Sequence, residues 1–146
     1  MSRVFYAPIE SVTITASGEY WQLATSATIK ARLLGWEITS NAIAAEALEL
    51  KLCRATTAGS GGTALDENPA DPDSSAATVA GLAANSTPAT TLTDMQFFAW
   101  EQLGPVGMVY TPEMAPIIDV STAMVLVCTT TPTQYELSGW LCWEEL

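Results

Sequence analysis

Most of the chain alternates apolar and polar residues with a period of two, the pattern of half-buried β-strands. The alternation covers residues 11–15, 20–24, 28–39 and 48–54. Later segments rich in bulky apolar residues, 95–101, 108–110, 117–120 and 135–144, are also predicted strands, and residues 124–129, which are apolar on both faces, predict a central strand. Gly35 interrupts it, and we expect a bulge there that turns Trp36 and Ile38 toward the core. Residues 41–46 are compatible with a loop or one turn capped by Asn41. Seven to nine short strands separated by turns predict an all-β fold, an antiparallel β-sandwich.

One long tract, residues 55–93, breaks this pattern. It is rich in Ala, Ser, Thr, Gly, Asn, Asp and Pro and has almost no large apolar residues. Such a tract buries too little surface to offset the entropy of ordering it alone. Three interpretations stay open: disorder, packing over the body made by the flanking segments, or packing over a neighbouring subunit.

The first residues differ from the rest because a proline, Pro8, interrupts the apolar run from Val4 to Ile9. Proline favours an arm or an edge strand here. Either the segment packs as a terminal strand or it docks on a partner. We therefore divide the chain into an N-terminal arm, residues 1–10, and one sandwich domain, residues 11–146, with a low-complexity excursion at 55–93.

Charge is distributed unevenly along the chain. The formal net charge is −11, all five basic residues precede residue 55, and the remainder carries eleven acids and no Lys or Arg. Nucleic-acid binding requires clustered cations, so DNA and RNA are excluded as direct partners, and anionic membranes are disfavoured. The longest apolar strings fall far short of the roughly 20 residues of a membrane span, and no secretory h-region opens the chain. These features predict a soluble protein made in the cytoplasm.

The sequence lacks the residues that several kinds of catalysis and metal binding require. There is no histidine, which removes Ser-His-Asp and Cys-His catalysis and the commonest metal ligand. Cys53, Cys128 and Cys142 are widely spaced, which predicts free, buried thiols, although one bridge is compatible with the sequence. Ser60 lies in a glycine turn that lacks the lysine of a phosphate-binding loop. We predict no enzymatic activity and no cofactor.

Two further features admit a binding function. The acidic segment 66–73 offers oxygen ligands for calcium, but its two prolines depart from an EF-hand, and a solvated loop is the simpler interpretation. Five tryptophans could supply a sugar-stacking platform, although tryptophans in a sandwich more often fill the core or an interface. A carboxylate pair for glycoside hydrolysis is possible by chance among the acids, and nothing singles one out.

A series of motifs then resembles a known family, the small head decoration proteins of tailed bacteriophages. These motifs span the chain from about Thr13 to its end. They are Leu50–Thr57, Gly59–Leu65, Pro69–Asp71, Ala76–Ala77, Asn85–Thr87, Pro112–Glu113, Pro116–Ile118 and Ser138–Glu145. They represent turns and strand ends rather than a catalytic signature, and the terminal segment 1–10 has no matching motif.

The resemblance implies a jelly-roll sandwich that assembles as a homotrimer on the outer surface of the capsid in the virion and binds the major capsid protein. Arg3, Phe5 and Tyr6 are the candidate capsid contacts. The candidate trimer contacts are Arg54, Gly61, Gly62 and Asn85. Two other functions remain as alternatives, a carbohydrate-binding sandwich module and a hydrolase with a carboxylate pair.

Overall fold

A computed structural model describes residues 3–14, 18–130 and 135–146, and these residues form twelve strands. The strands are β1 (Arg3–Thr13), β2 (Glu19–Ala24), β3 (Ala31–Ser40), β4 (Ala47–Thr57), β5 (Thr63–Ala64), β6 (Asn68–Pro69), β7 (Ala80–Ala83), β8 (Thr90–Glu101), β9 (Val106–Val109), β10 (Ile117–Ile118), β11 (Ala123–Cys128) and β12 (Glu136–Glu145). Within the described residues, no helix is able to cross a membrane. The sequence prediction of an all-β chain is confirmed.

The strands form two antiparallel sheets that pack face to face. One sheet has the order β10-β3-β12-β1-β6, with β9 also paired to β3, and the other has the order β5-β7-β2-β11-β4-β8. The eight main strands pair by nesting: β1 with β12, β2 with β11, β3 with β9, and β4 with β8. This nesting, with four main strands in each sheet, is the jelly-roll arrangement. The fold class expected from the sequence is therefore present.

The core lies between the inner faces of the sheets. Its largest fully buried side chains include Trp21 and Trp36, whose ring centroids are 5.8 Å apart, and Trp143, which stacks on Phe5. The predicted bulge is present, because the pairing of β3 with β12 skips Leu34 and resumes at Gly35. Trp36 and Ile38 are consequently fully buried on the same side as Leu33. One inserted residue thus keeps both halves of β3 facing the core.

The polar tract is ordered and lies on its own subunit. β6 extends one sheet beyond β1, while β7 and β5 extend the other beyond β2. The tract therefore covers one side of the sandwich, where two sheet edges would otherwise be open. Leu65, Val79 and Ala83 are its buried apolar anchors. Because β4 continues to Thr57 and β8 begins at Thr90, the excursion between main strands is shorter than predicted, residues 58–89.

Two buried carboxylates fix this tract to the sandwich. Glu19 on β2 is 1% exposed, and its two oxygens accept hydrogen bonds from Asn85 Nδ2 at 2.8 Å and from the backbone N–H of Ala89 at 2.6 Å. Glu145 on β12 accepts from the backbone N–H groups of Thr78 at 2.6 Å and Val79 at 2.8 Å. Hydrogen bonds to a charged acceptor are the stronger kind, so few apolar residues suffice to order the tract.

The N-terminal segment is part of the sheet rather than an arm. β1 pairs with β12 from Arg3 to Thr13, and Phe5, Ala7 and Ile9 point into the core. The division at residue 10 is therefore wrong for residues 3–10. Pro8 is tolerated because the second neighbour of β1, the two-residue strand β6, pairs only at Phe5 and Tyr6.

All three cysteines are buried and unpaired, as the sequence predicted. Burial and a hydrogen bond to Asp94 raise the pKa of Cys53 to about 12, and burial raises the pKa of Tyr135 to about 12. The side chains of the unfolded chain lose these protons nearer their ordinary values, 9.0 for the thiol and 10.0 for the phenol.

We expect the free energy of unfolding to fall as the pH rises from about 9 toward 12. Above about pH 9 for Cys53 and about pH 10 for Tyr135, the unfolded chain binds fewer protons than the folded chain, so each group lowers stability by at most about 1.4 kcal/mol per pH unit. Urea unfolding followed by tryptophan fluorescence at about pH 8 and about pH 10.5 measures the fall. Cys53→Ala should make the fall smaller, and equal stability at both pH values would contradict the burial of these groups.

Candidate functional site

The side of the sandwich opposite the polar tract is open. β8 ends one sheet there, and β9 and β10 end the other. Six large apolar side chains on or beside these strands are exposed, and we call this surface the open side: Leu92, Phe97, Met108, Val109, Met114 and Ile117. They are six of the ten exposed large apolar residues among those that the structure describes. Exposed apolar residues concentrated along two free sheet edges are typical of a surface that binds another protein.

Phe97 is the main aromatic residue of the open side. Its side chain is on the outer face of β8 and is 66% exposed, whereas the neighbouring Phe98 points inward and contacts Trp36 edge-on at 5.1 Å. Lys51 Nζ lies 4.9 Å from the Phe97 ring centroid and donates to Asp94 at 2.9 Å. This hydrogen bond holds the pKa of Asp94 below its usual range. The exposed ring is therefore held by a neighbouring ion pair.

The β9 part of the open side is held rigidly against β8. Tyr110 donates a hydrogen bond through its hydroxyl to Gln96 Oε1 at 2.6 Å, and Trp36 Nε1 donates to the same hydroxyl at 3.4 Å. These bonds link the two sheets beneath the exposed Val109, which is 75% accessible. A preorganised apolar surface binds with less entropy loss than a mobile one.

At one end of the open side, a cleft of about 450 Å³ lies between the sheets, and we call it the Arg54 cleft. Its walls come from β4, β8, β10 and the loop after β10. The lining polar side chains are Lys30, Arg54, Thr56, Thr91, Thr93, Asp119 and Thr122. Arg54 reaches across the cleft and donates from Nε and Nη2 to the carbonyl oxygen of Ile117 at 3.3 and 3.2 Å. The cleft thus has one bridging guanidinium and several hydroxyls.

The candidate capsid contacts differ in their accessibility. Tyr6 is 50% exposed on the outer face of β1. Arg3 is half-buried and forms an ion pair with Glu145. Phe5 is fully buried against Trp143, so it offers no surface to a partner, and its assignment as a contact is corrected. The alternation along β1 places Phe5 and Tyr6 on opposite faces of the sheet.

Of the candidate trimer contacts, only two have exposed side chains or backbone. Arg54 lines the cleft, and Gly61 is exposed with a positive φ of 75°. Asn85 is 1% exposed and binds Glu19 and Gln22, so it is a core residue of the tract and not a contact. Gly62 is needed within the subunit, since a Cβ there would lie 2.6 Å from Asn85 Oδ1. The glycines of this motif are explained by packing of the tract.

Metal binding has little support in the part of the chain that the structure describes. No group of three or more Cys, Asp or Glu side chains is arranged to hold a metal ion there. The carboxylates of the acidic segment 66–73 are not gathered into such a group.

Trp140 differs from the other four tryptophans, which are buried. It is half-buried on the outer face of β12, opposite Glu37, and its ring lies over Gly35, where a Cβ would be 3.2 Å away. A shallow depression of about 210 Å³ beside it is also lined by Val109 and Pro105. An accessible indole beside a carboxylate is the chemistry of a sugar-stacking site.

The residues of the open side were not identified from the sequence. One signal was present: in a strand, adjacent Phe97 and Phe98 must point to opposite faces, so a single core buries only one of them. Comparison with protein-family models, curated proteins and solved structures finds no match for this chain.

Proposed function

We propose that the protein is a non-enzymatic structural protein of a tailed-phage virion, a decoration or cement protein that binds the outer surface of the assembled head. The observation that carries the proposal is the open side, with its exposed apolar residues on two free sheet edges. The motif resemblance supplies the partner, the major capsid protein. The jelly-roll topology is the one that this resemblance implies.

The distribution of apolar surface supports docking rather than general stickiness. The tract covers the opposite edges of both sheets, and the net charge of −11 disfavours random association. Among the described strands, the edges formed by β8, β9 and β10 are the ones left open. A protein that binds the assembled lattice and not its free subunits stabilises the lattice by mass action.

The proposal includes assembly as a homotrimer. A closed ring of three requires each copy to present two different, complementary surfaces. The chain has two such unlike surfaces, one made by the polar tract and the other by the Arg54 cleft at one end of the open side.

Co-sedimentation with undecorated heads of the phage that encodes the chain tests this function. We expect the protein to pellet with the heads, to reach a saturating ratio, and to raise the temperature at which the heads lose their DNA. A protein that stays in the supernatant at concentrations of about 10 µM, well above typical affinities, would overturn the proposal.

Trp140 is the specific observation that favours a second function, binding of carbohydrate. Under this function, a sugar that stacks on Trp140 changes the tryptophan fluorescence of the native chain but not that of Trp140→Ala, since the other four indoles are buried. A glycan series that leaves the native spectrum unchanged would remove it.

A further inference from the structure

Arg54 is the one basic residue without a carboxylate partner among the residues that the structure describes. The other four each form an ion pair: Arg3 with Glu145, Lys30 with Asp119, Arg32 with Glu144, and Lys51 with Asp94. In a chain with sixteen acids and five bases, a cation without such a partner is unexpected. Its guanidinium Nη1 group makes no hydrogen bond to the described chain and remains available at the cleft.

The surroundings of Arg54 suit an incoming carboxylate. Hydroxyls of Thr56, Thr91 and Thr93 line the same cleft and are able to donate to carboxylate oxygens. The carboxylate of Asp119 does not compete, because Lys30 Nζ holds it at 2.9 Å and its pKa is lowered by that hydrogen bond. A hydrogen bond from a guanidinium to a carboxylate is charge-assisted and therefore stronger than a neutral one, and Nη1, which Ile117 does not occupy, is able to donate it.

The backbone at this cleft is also strained. Thr91 has a φ of 56°, which is unfavourable for a β-branched residue. Backbone strain of this kind tends to persist at binding sites, where the surrounding structure fixes it.

The same chain carries unpaired carboxylates on the opposite side of the sandwich. Asp66 and Asp73 flank β6, which is the strand that the tract adds beside β1, and both are exposed. Neither forms an ion pair with any described residue. Glu67 and Asp71 accept hydrogen bonds from backbone N–H groups of the tract, which order the segment between them.

We propose that the Arg54 cleft is a carboxylate-binding site that receives the acidic segment 66–73 of a second copy of this chain. The inference rests on the proposed assembly as a ring and identifies its contact. Cleft and segment lie on opposite sides of one molecule, as a head-to-tail contact between identical copies requires. A guanidinium without a partner on one side and carboxylates without partners on the other then satisfy each other.

Sedimentation equilibrium of the full chain tests the contact. We expect the native protein to self-associate, more weakly at high salt. Arg54→Gln and the double variant Asp66→Asn/Asp73→Asn should each weaken association by about 10-fold to 100-fold. The triple variant should be no weaker than Arg54→Gln alone, because both changes remove the same contact. Glu49→Gln and Glu113→Gln, which remove exposed carboxylates elsewhere on the surface, are the matched controls.

A native protein that stays monomeric at about 100 µM would overturn the inference. The same holds if Arg54→Gln or the double variant Asp66→Asn/Asp73→Asn self-associates as strongly as the native protein. Additive effects in the triple variant would also contradict it. Asp66 and Asp73 are exposed, so Asp66→Asn/Asp73→Asn should fold. This double variant therefore tests the contact even if Arg54→Gln unfolds the chain. Co-sedimentation with heads separates the two proposals. If the native protein decorates heads but the cleft variants self-associate normally, the proposed function stands and the proposed contact between copies is wrong.

Discussion

Replacing Glu19 with alanine is expected to lower the free energy of unfolding by about 3–5 kcal/mol. The substitution removes the carboxylate that accepts from two buried donors, Asn85 Nδ2 and the Ala89 N–H, at a site that is 1% exposed. Urea unfolding measures the loss. Limited proteolysis should also cut the Glu19→Ala protein within residues 58–89 faster than it cuts the native chain.

Two variants serve as controls for this prediction. Glu19→Gln keeps the shape but replaces one oxygen with an NH₂ group, so one donor loses its acceptor and a loss of about 1–3 kcal/mol is expected. Glu49→Ala removes an exposed carboxylate from β4 and should change stability by less than about 0.5 kcal/mol. Equal stability of Glu19→Ala and Glu49→Ala would show that the buried carboxylate does not hold the tract.

Replacing Phe97 or Val109 with aspartate is expected to weaken binding to phage heads at least about 100-fold. Each change places a charge in the centre of an apolar surface, where docking would bury it without a partner. Both side chains are exposed, 66% and 75%, so the fold should be retained. Co-sedimentation at increasing protein concentration gives the apparent affinity, and thermal unfolding verifies that the variants are folded.

Ile43→Asp is the matched control for this surface. Ile43 is 98% exposed in the loop between β3 and β4 and is not one of the six apolar residues of the open side. The same change in charge and hydrophobicity there should leave head binding unchanged. If Ile43→Asp abolished binding while Phe97→Asp and Val109→Asp did not, docking would take place at the loop end of the sandwich instead.

Local patterns allowed much of the fold to be predicted. Alternation placed Leu33, Trp36 and Ile38 in the core, and the glycine between them indicated the bulge that makes this possible. The run at residues 124–129, apolar on both faces, indicated a central strand, and β11 does lie between β2 and β4. These predictions succeeded because side-chain period and turn residues act over a few neighbouring positions.

The ordering of the tract could not be predicted in the same way. It depends on Glu19 and Glu145, whose partners lie 66 to 70 residues away in the sequence, and buried glutamates are rare enough that a sequence pattern assigns them to the surface. Phe5 was misassigned because the segment was interpreted as an arm, and Asn85 because its assignment rested on the motif resemblance, which carries no information on burial. In each case the pairing of distant strands decides the environment.

The most direct measurement is hydrogen exchange of the protein, free and bound to undecorated heads. If the open side is the docking surface, backbone amides of residues 90–101 and 106–118 should exchange more slowly when bound, because docking covers the free edges of β8, β9 and β10. Backbone amides of strands away from these edges should exchange at the same rate in both samples. Protection confined to residues outside these two segments, or no difference between the two samples, would contradict the assignment of function to the open side.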